Sequence, residues 1–440
     1  MELQLIKPVS DALERLESAG FQAYLVGGVR DLLLRRRPRD YDVATSALPE
    51  EIEKLFTGFV VDTKGASYGT VTIRIEKTEI DVTTFRREGN YTDHRHPESV
   101  AFTKNFFEDC RRRDFTVNAV AYRPGEGICD YFCGVRDLKR RLIRAIGDAG
   151  KRFEEDAVRM LRALRFASVL NFEIEEKTAA ALHEKKELLK TLSPERVRGE
   201  FCRILCGRNV QKVLTDFSDV LGVLIPEILP AVGFDQKTPF HCFDVWQHTV
   251  HAVAAAEKGA EIRLALFFHD LSKPFCFSQD STGRGHFYAH PKKSAIMARE
   301  IMERFRFPKD QIERVATLVT YHDSHAATDA EIKWLLYRVN PELLPKLFAV
   351  MRADILAHSR ITIPKRLASL RLLSEKAEQI LENGECYSLK TLAVTGDDLA
   401  KLGFSGREIG EGLDLALKSV ISGKWKNEKE VLLEALSKSK

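Results

Sequence analysis

The periodicity of the sequence changes near Gly147, and this change limits the fold more than any other feature. Before it, short strand patterns recur at residues 23–26, 41–44, 70–75, 79–83 and 100–102. From Arg152 onward, nearly every segment carries the repeat of an amphipathic helix instead. The sequence therefore predicts an α+β chain, in which a mixed sheet with helices is followed by an all-helical remainder.

Glycine- and proline-containing stretches suggest where this chain divides. They lie at residues 146–150, 230–238 and 359–364. The 440 residues are enough for two to four domains at roughly 100–200 residues each. We therefore expect a head over residues 1–146, a helical neck over 147–235, a third domain over 236–360 and a helical tail over 361–440.

Composition excludes some classes of protein and favours a polyanionic ligand. There is no apolar run of about 18 residues and no pattern of a secretory signal, so we expect a cytoplasmic protein with no membrane partner. The eight cysteines show no paired zinc spacing, which is typical of reduced thiols. The net charge is only +4, but arginines concentrate at residues 30–39, 111–113 and 136–165. Because the arginine fork suits phosphate, these clusters favour a nucleotide or a nucleic acid.

An acidic pair predicts a metal site on one strand. Asp40 and Asp42 are two residues apart, so an extended chain places both carboxylates on the same face. Such carboxylates repel each other unless a cation bridges them, and a pair of Mg²⁺ ions suits a triphosphate substrate. Asp81 on a later strand is a candidate third ligand. Ahead of the pair, the turn Gly27-Gly28 opens a predicted helix, an arrangement that binds phosphate.

Four charged residues recur every three positions along a predicted helix over residues 155–166. They are Asp156, Arg159, Arg162 and Arg165. One interpretation is a salt-bridged surface. The other is base selection, because a carboxylate accepts from an exocyclic amine while an arginine donates to the adjacent acceptor. Such a pair would admit cytosine and adenine and would reject uracil and guanine.

The order of strand, Gly-Gly turn, helix and Asp-x-Asp strand resembles the nucleotidyltransferase superfamily of DNA polymerase β. The run Arg112-Arg113-Asp114, the segment 130–138 and the 155–165 motif narrow the resemblance to class II tRNA nucleotidyltransferases over residues 24–201. The resemblance implies a polymerase-β-like head, Mg²⁺ on Asp40 and Asp42, and partners that are tRNA, CTP and ATP rather than DNA. The matching residues that it places at the nucleotide are Gly27, Gly28, Arg30, Arg113, Asp156, Arg159, Arg162 and Arg165. One residue that usually follows Gly-Gly is missing here, so which glycine meets the triphosphate stays open.

A second constellation of histidines and aspartates lies in the helical part. His269-Asp270 follows the apolar run 264–268, and buried histidine and aspartate side chains are costly unless they are paired or bind a metal. The ordered set resembles the HD phosphohydrolase superfamily over residues 236–360. The resemblance implies one metal on His248, His269, Asp270 and Asp354, a second on His290 and His322, and small phosphate esters as substrates. The metal would be Mg²⁺ or a divalent transition metal; the alternative is an HD fold kept only as an RNA-binding body.

Together these features predict an enzyme that adds CCA to tRNA 3′ ends and carries a phosphohydrolase domain. The polar segment 85–97 resembles the loop with which relatives switch from C to A addition. A protein that adds only the terminal A stays an alternative. A regulator that combines a nucleotidyltransferase with an HD domain is disfavoured by the motif over 155–165, and a non-catalytic RNA-binding protein by Asp40 and Asp42.

Overall fold

The protein is described here by a computed structural model that covers residues 2–38, 40–88, 100–238, 240–257 and 259–438. It divides into two compact units, Met1–Pro226 and Glu227–Lys440. The finer division into head, neck, third domain and tail stays a prediction.

A mixed sheet forms the centre of the first unit. The described strands of this unit are β1 (Ala23–Leu25), β2 (Tyr41–Thr45), β3 (Val60–Asp62), β4 (Thr70–Ile75), β5 (Thr78–Thr84), β6 (Arg86–Glu88), β7 (Val100–Phe102), β8 (Ala121–Arg123), β9 (Gly127–Cys129), β10 (Leu142–Ile143) and β11 (Glu173–Ile174). Seven of them form one sheet in the order β3-β4-β5-β2-β1-β8-β9. Only the β2–β5 pairing in this sheet is parallel. The predicted α+β architecture with a mixed sheet is confirmed.

Some helices of the first unit pack on this sheet, and others follow its last strand along the chain. They are α1 (Lys7–Ser18), α2 (Val29–Leu33), α3 (Pro49–Leu55), α4 (Phe106–Arg111), α5 (Gly134–Arg140), α6 (Ala149–Glu155), α7 (Val158–Leu170), α8 (Glu176–Glu184), α9 (Pro194–Leu205), α10 (Val210–Asp216) and α11 (Ser218–Leu221). On α1, Val9, Ala12, Leu13 and Leu16 are buried, which is the spacing of one apolar helix face. Strands β6 and β7 form a separate antiparallel hairpin.

The predicted helix over residues 155–166 is wrong at its start. Helix α6 ends at Glu155, and Asp156 has extended backbone angles of φ −143° and ψ 104°. Its carboxylate accepts a hydrogen bond from the backbone N–H of Val158 at 3.2 Å, where α7 begins. An aspartate that binds a nearby backbone N–H competes with the helical hydrogen bond, which explains the break. Asp156 therefore lies between two helices.

The second unit is helical, as predicted. Its helices are α12 (Val245–Ala255), α13 (Ala260–Phe268), α14 (Lys273–Cys276), α15 (His290–Arg304), α16 (Lys309–Tyr321), α17 (Asp329–Val339), α18 (Leu344–Leu356), α19 (Ile363–Glu382), α20 (Gly396–Lys401), α21 (Arg407–Ile421) and α22 (Lys429–Ser437), with the short strands β12 (Phe277–Gln279) and β13 (Gly285–Phe287). The apolar run 264–268 at the end of α13 is completely buried. Among the described residues, no helix is both long and apolar enough to span a membrane.

Candidate functional site

The predicted carboxylates lie on two neighbouring strands of the sheet. Asp42 on β2 is directly opposite Asp81 on the parallel strand β5, and Asp40 immediately precedes β2. The Asp81 carboxylate accepts a hydrogen bond from Thr72 Oγ1 at 2.5 Å. Asp40 and Asp81 are exposed and Asp42 is half-buried, so the acidic surface is open to a ligand. Within the described residues, these three do not form a group whose ligand atoms all lie within 4.8 Å of one another.

The first glycine of the turn leaves room for the Asp42 side chain. A Cβ atom on Gly27 would lie 2.0 Å from Asp42 Oδ2 and 2.8 Å from Asp42 Cβ. Gly28 has a different reason to be glycine, because its φ of +84° lies in the left-handed region. The turn thus brings its backbone close to the acidic strand and then enters α2.

Electrostatics at Asp42 favour a bound cation. Burial and the charge of Asp81 raise the pKa of the Asp42 carboxyl, with a smaller contribution from Asp40. The guanidinium of Arg113 opposes this rise. A divalent ion beside these carboxylates would remove the repulsion between them, so the donor set fits Mg²⁺, which prefers oxygen ligands.

A buried aspartate that the sequence analysis missed holds Arg113. Asp109 is fully buried, and its Oδ2 accepts a hydrogen bond from Arg113 Nη2 at 3.0 Å. Its Oδ1 lies 2.8 Å from Arg112 Nη2 and accepts a hydrogen bond from the backbone N–H of Arg86 at 3.2 Å. Burial tends to raise the pKa of Asp109, but the charges of Arg113 and Arg112 outweigh it and lower that pKa. Asp109 therefore stays ionised and links the predicted phosphate-binding arginine to the β6–β7 hairpin.

Arg30 is held at the start of α2 by polar and aromatic contacts. Its Nη1 donates to Asn118 Oδ1 at 2.7 Å, and its Nη2 donates to Asp31 Oδ2 at 3.0 Å. The guanidinium carbon lies 5.0 Å from the centre of the Phe166 ring. Its Nε is buried and has no hydrogen-bond partner among the described residues.

The two predicted base-selecting residues each have a partner in the protein. Asp156 accepts from Arg196 Nη2 of α9, at 3.1 Å for Oδ1 and 3.0 Å for Oδ2. Arg159 donates to Glu155 Oε2 at 2.5 Å and to the backbone oxygen of Arg112 at 3.1 Å. Arg196 was not predicted, since it comes 40 residues after Asp156 and shows no spacing pattern with it.

Two further arginines of α7 also carry carboxylate partners. Arg162 Nε donates to Asp114 Oδ2 at 2.7 Å, and Arg165 Nη1 donates to Glu200 Oε1 at 3.2 Å. Burial, together with the neighbouring charge of Arg162, lowers the pKa of Arg165 to about 10. All the predicted nucleotide-binding residues thus lie in the first unit, and each charged one has an ion-pair partner there.

The second constellation converges in the interior of the second unit. His248 on α12 and Asp354 on α18 meet with Nε2 and Oδ1 2.8 Å apart. His269 Nε2, just after α13, lies 3.2 Å from both His248 Nε2 and Asp270 Oδ2. Among the described residues, two groups have metal-ligand spacing: His248 with His269 and Asp354, and His269 with Asp270 and His322. His290 Nε2 approaches Asp270 Oδ1 at 3.2 Å.

The orientation of the four histidine rings fits a metal centre. In each ring Nδ1 donates to a backbone carbonyl: His248 to Ala357, His269 to Leu266, His290 to Phe287 and His322 to Val319. This leaves Nε2 as the atom that faces the cluster, the arrangement of metal-binding histidines. The Nε2 atoms of His248 and His269 lie 3.2 Å apart, so their lone pairs would repel each other unless one nitrogen is protonated or a metal ion is bound.

The aspartates make the cluster strongly attractive to cations. Neither oxygen of buried Asp270 receives a hydrogen bond of good geometry from a described residue, although Lys273 Nζ lies 2.7 Å from Oδ2. Burial opposes protonation of His269, but the charge of Asp270 outweighs it and raises the pKa of His269 to about 10. The residues therefore fit a divalent cation held by imidazole and carboxylate ligands. His358 and His241 lie beside the cluster, with ring centres 5.0 and 4.9 Å from that of His248, and were not predicted.

Three family models match successive parts of the chain. The model described as "Poly A polymerase head domain" matches residues 23–144. The model described as "Probable RNA and SrmB-binding site of polymerase A" matches residues 171–231, and that for "tRNA nucleotidyltransferase domain 2" matches residues 288–436.

Several similar proteins are CCA-adding enzymes. That of Lactobacillus delbrueckii subsp. bulgaricus is 50% identical over 206 residues, which is 47% of this chain and 52% of that protein. The chain thus matches about half the length of this relative. The CCA-adding enzyme of Levilactobacillus brevis is 33% identical over 444 residues, covering 99% of this chain and 98% of that protein.

Solved structures resemble the whole chain. The Bacillus stearothermophilus CCA-adding enzyme in complex with CTP is 26% identical, with a TM-score of 0.71 and coverage of 99% and 98% of the two chains. The Thermotoga maritima CCA-adding enzyme complexed with tRNA is 19% identical, with a TM-score of 0.60 and full coverage of both chains, and this likeness concerns the fold alone.

Proposed function

This chain belongs to the CCA-adding enzyme family of class II tRNA nucleotidyltransferases, and from that premise we propose that it builds the CCA end of tRNA from CTP and ATP. The observation that carries the proposal is Asp42 opposite Asp81 on parallel strands, beside Gly27 and near Arg113. The proposal includes a cytoplasmic location, where tRNA and both nucleotides meet in bacteria such as the relatives.

Asp40, Asp42 and Asp81 would hold Mg²⁺. When bound, this metal activates the 3′ hydroxyl of the tRNA and stabilises the leaving pyrophosphate. Arg30 and Arg113 present guanidinium donors, of which the Nε atoms are buried without a partner among the described residues. The guanidinium groups would orient the triphosphate beside the carboxylates that hold Mg²⁺.

Asp156 and Arg159 would select the base. The carboxylate would accept from the exocyclic amine of cytosine or adenine, and the guanidinium would donate to the neighbouring acceptor. Arg196 and Glu155 orient the two groups in the absence of a nucleotide. Uracil and guanine present a carbonyl beside an N–H instead, so neither hydrogen bond would form, and the site would reject them by a factor of roughly 10⁴ or more.

The relatives that match this chain over nearly their full length are CCA-adding enzymes. This match favours complete CCA addition over addition of A alone. Most of the predicted switching segment over residues 85–97 lies outside the described residues. The deciding experiment is incorporation of labelled CTP and ATP, with Mg²⁺, onto tRNA that ends at the discriminator base or after CC. Growth of the first tRNA by C, C and A supports the proposal, whereas extension of only the CC-ended tRNA supports A addition.

The second unit carries the finer part of the proposal: metal-dependent hydrolysis of small phosphate esters, including 2′,3′-cyclic phosphates at RNA ends. It is supported by the four histidines with Nε2 turned towards Asp270 and Asp354. Hydrolysis of a 2′,3′-cyclic nucleotide, lost on chelation and restored by Mg²⁺ or a transition metal, is the expected result. A folded protein that hydrolyses no phosphate ester with any of these metals would leave the unit as an RNA-binding body.

A further inference from the structure

One aromatic ring contacts three of the arginines expected at the nucleotide. The side chain of Phe166 on α7 is 7% exposed. The guanidinium carbons of Arg30, Arg162 and Arg165 lie 5.0, 5.4 and 4.2 Å from its ring centre. Arg30 belongs to α2, while the other two arginines belong to α7 itself, so the ring joins two separate parts of the predicted site.

The position of the ring is itself fixed. Phe115 packs edge-on against Phe166, with ring centres 5.8 Å apart and an interplanar angle of 80°. Phe115 is fully buried and directly follows Asp114, the partner of Arg162. Phe115 and most residues of α7 are buried, so the Phe166 ring has little freedom to turn.

The polar partners of these three arginines do not fully fix the orientation of their guanidinium planes. Asp114 and Glu200 hold Arg162 and Arg165, while Arg30 has Asn118 and Asp31. Each partner fixes one edge of a planar guanidinium but does not set the tilt of its plane. A ring beneath the plane does so, since cations bind the negative face of an aromatic ring. The attraction of each cation to the ring face also offsets part of the repulsion between like charges gathered in one place.

We propose that Phe166 is a positioning residue for nucleotide binding: its ring sets the orientation of the guanidiniums of Arg30, Arg162 and Arg165. This inference rests on the proposed nucleotidyl transfer. The ring acts through the arginines and touches neither reacting atom. Its loss therefore weakens binding of both nucleotides and leaves the chemical step, which depends on the carboxylates of β2 and β5, nearly intact.

The test is steady-state kinetics of C and A incorporation by F166L, with F166Y as the conservative variant. We expect F166L to raise KM for CTP and for ATP roughly 10-fold, to change kcat less than about 3-fold, and to leave KM for tRNA unchanged. F166Y keeps the aromatic face, so it should restore both nucleotide KM values to within about 3-fold of the wild type.

Phe56 supplies the matched control. It is completely buried and also carries a guanidinium, that of Arg15, at 5.8 Å from its ring centre, but Arg15 is not a predicted site residue. F56L should therefore lower the unfolding midpoint without changing nucleotide KM. If F166L does not fold, F166M provides the same comparison, because methionine fills a similar volume without an aromatic face.

Two results would overturn the inference while the proposed function stands: unchanged nucleotide KM in an active F166L, or KM values in F166Y as high as in F166L. If the wild-type protein incorporates neither C nor A, the proposed function itself fails. The two failures are thus told apart by the wild-type assay.

Discussion

Replacing Gly27 by alanine tests the geometry of the acidic site with the smallest change. The new Cβ atom would lie 2.0 Å from Asp42 Oδ2, 2.5 Å from Cγ and 2.8 Å from Cβ. Since all three side-chain atoms are too close, turning the carboxylate alone cannot relieve the clash. Asp42 Oδ2 must retreat by about 1.4 Å, the difference between 2.0 Å and the 3.4 Å of ordinary contact.

A displacement of this size should remove most of the activity. A shift of about 1 Å in a catalytic group costs roughly 10²-fold in rate, so we expect kcat of G27A to fall at least 100-fold, about 2.7 kcal/mol in the activation free energy. The backbone of Gly27 lies outside the left-handed region, so alanine adopts it without strain. The clash with Asp42 should lower the unfolding midpoint, but the head should still fold and the affinity for tRNA should stay close to that of the wild type.

The assay is single-turnover incorporation of labelled CTP, with tRNA affinity measured by filter binding. G410A is the control, because the added methyl group meets nothing within 4 Å on α21. If G27A kept kcat within about 3-fold of the wild type, Asp42 would not need the position that the structure gives it. A parallel loss of tRNA binding would also refute the reasoning, because it would indicate a general disturbance of the head.

Three further predictions concern charge. The folded-state pKa of Asp42 is raised, so this carboxyl adds stability only below its unfolded pKa and loses it as pH rises through the folded pKa. In EDTA at pH 7, D42N should therefore unfold at a higher temperature than the wild type while incorporation is abolished; a lower midpoint in calorimetry would contradict this. D109N removes the charge that pairs with Arg113, and we expect the free energy of unfolding to fall by about 3–5 kcal/mol in urea and the KM for CTP to rise; an unchanged urea midpoint would count against the buried pair. D270N should abolish hydrolysis of 2′,3′-cyclic nucleotides and leave C and A incorporation within about 2-fold, whereas a joint loss would indicate one shared site.

The sequence was informative where a chemical requirement falls on neighbouring residues. Asp42 lies on β2 and Asp40 directly precedes it, and the apolar run 264–268 directly precedes His269-Asp270, so the acidic pair and the burial could be predicted from local pattern. Asp81 could be proposed from its strand alone, but its pairing opposite Asp42 depends on the parallel β2–β5 register, which no local pattern contains. The helix break at Asp156 was missed because the three-residue spacing continues across it.

Residues that act by holding others were not predictable. Asp109 resembles any acidic residue in the first turn of a helix, yet it is fully buried between Arg112 and Arg113. Arg196 and Phe166 make their important contacts with residues far away in the sequence. Such contacts are properties of the packed chain, and a single sequence carries no periodic signal for them.

Three arginines of the predicted nucleotide site share one arrangement, in which each guanidinium is paired with a carboxylate. This pairing explains how the folded protein accommodates their positive charge. Arg113 is paired with Asp109, Arg162 with Asp114, and Arg165 with Glu200. A largely buried guanidinium without a partner would be costly, so each carboxylate stabilises the arginine that it holds. These carboxylates also hold the planar guanidinium groups in place. Fewer side chains then have to become ordered when a nucleotide binds, which lowers the entropic cost of binding. Selective binding then follows from a fixed set of donors, and a variant that only loosens them should weaken nucleotide binding before it slows the chemical step.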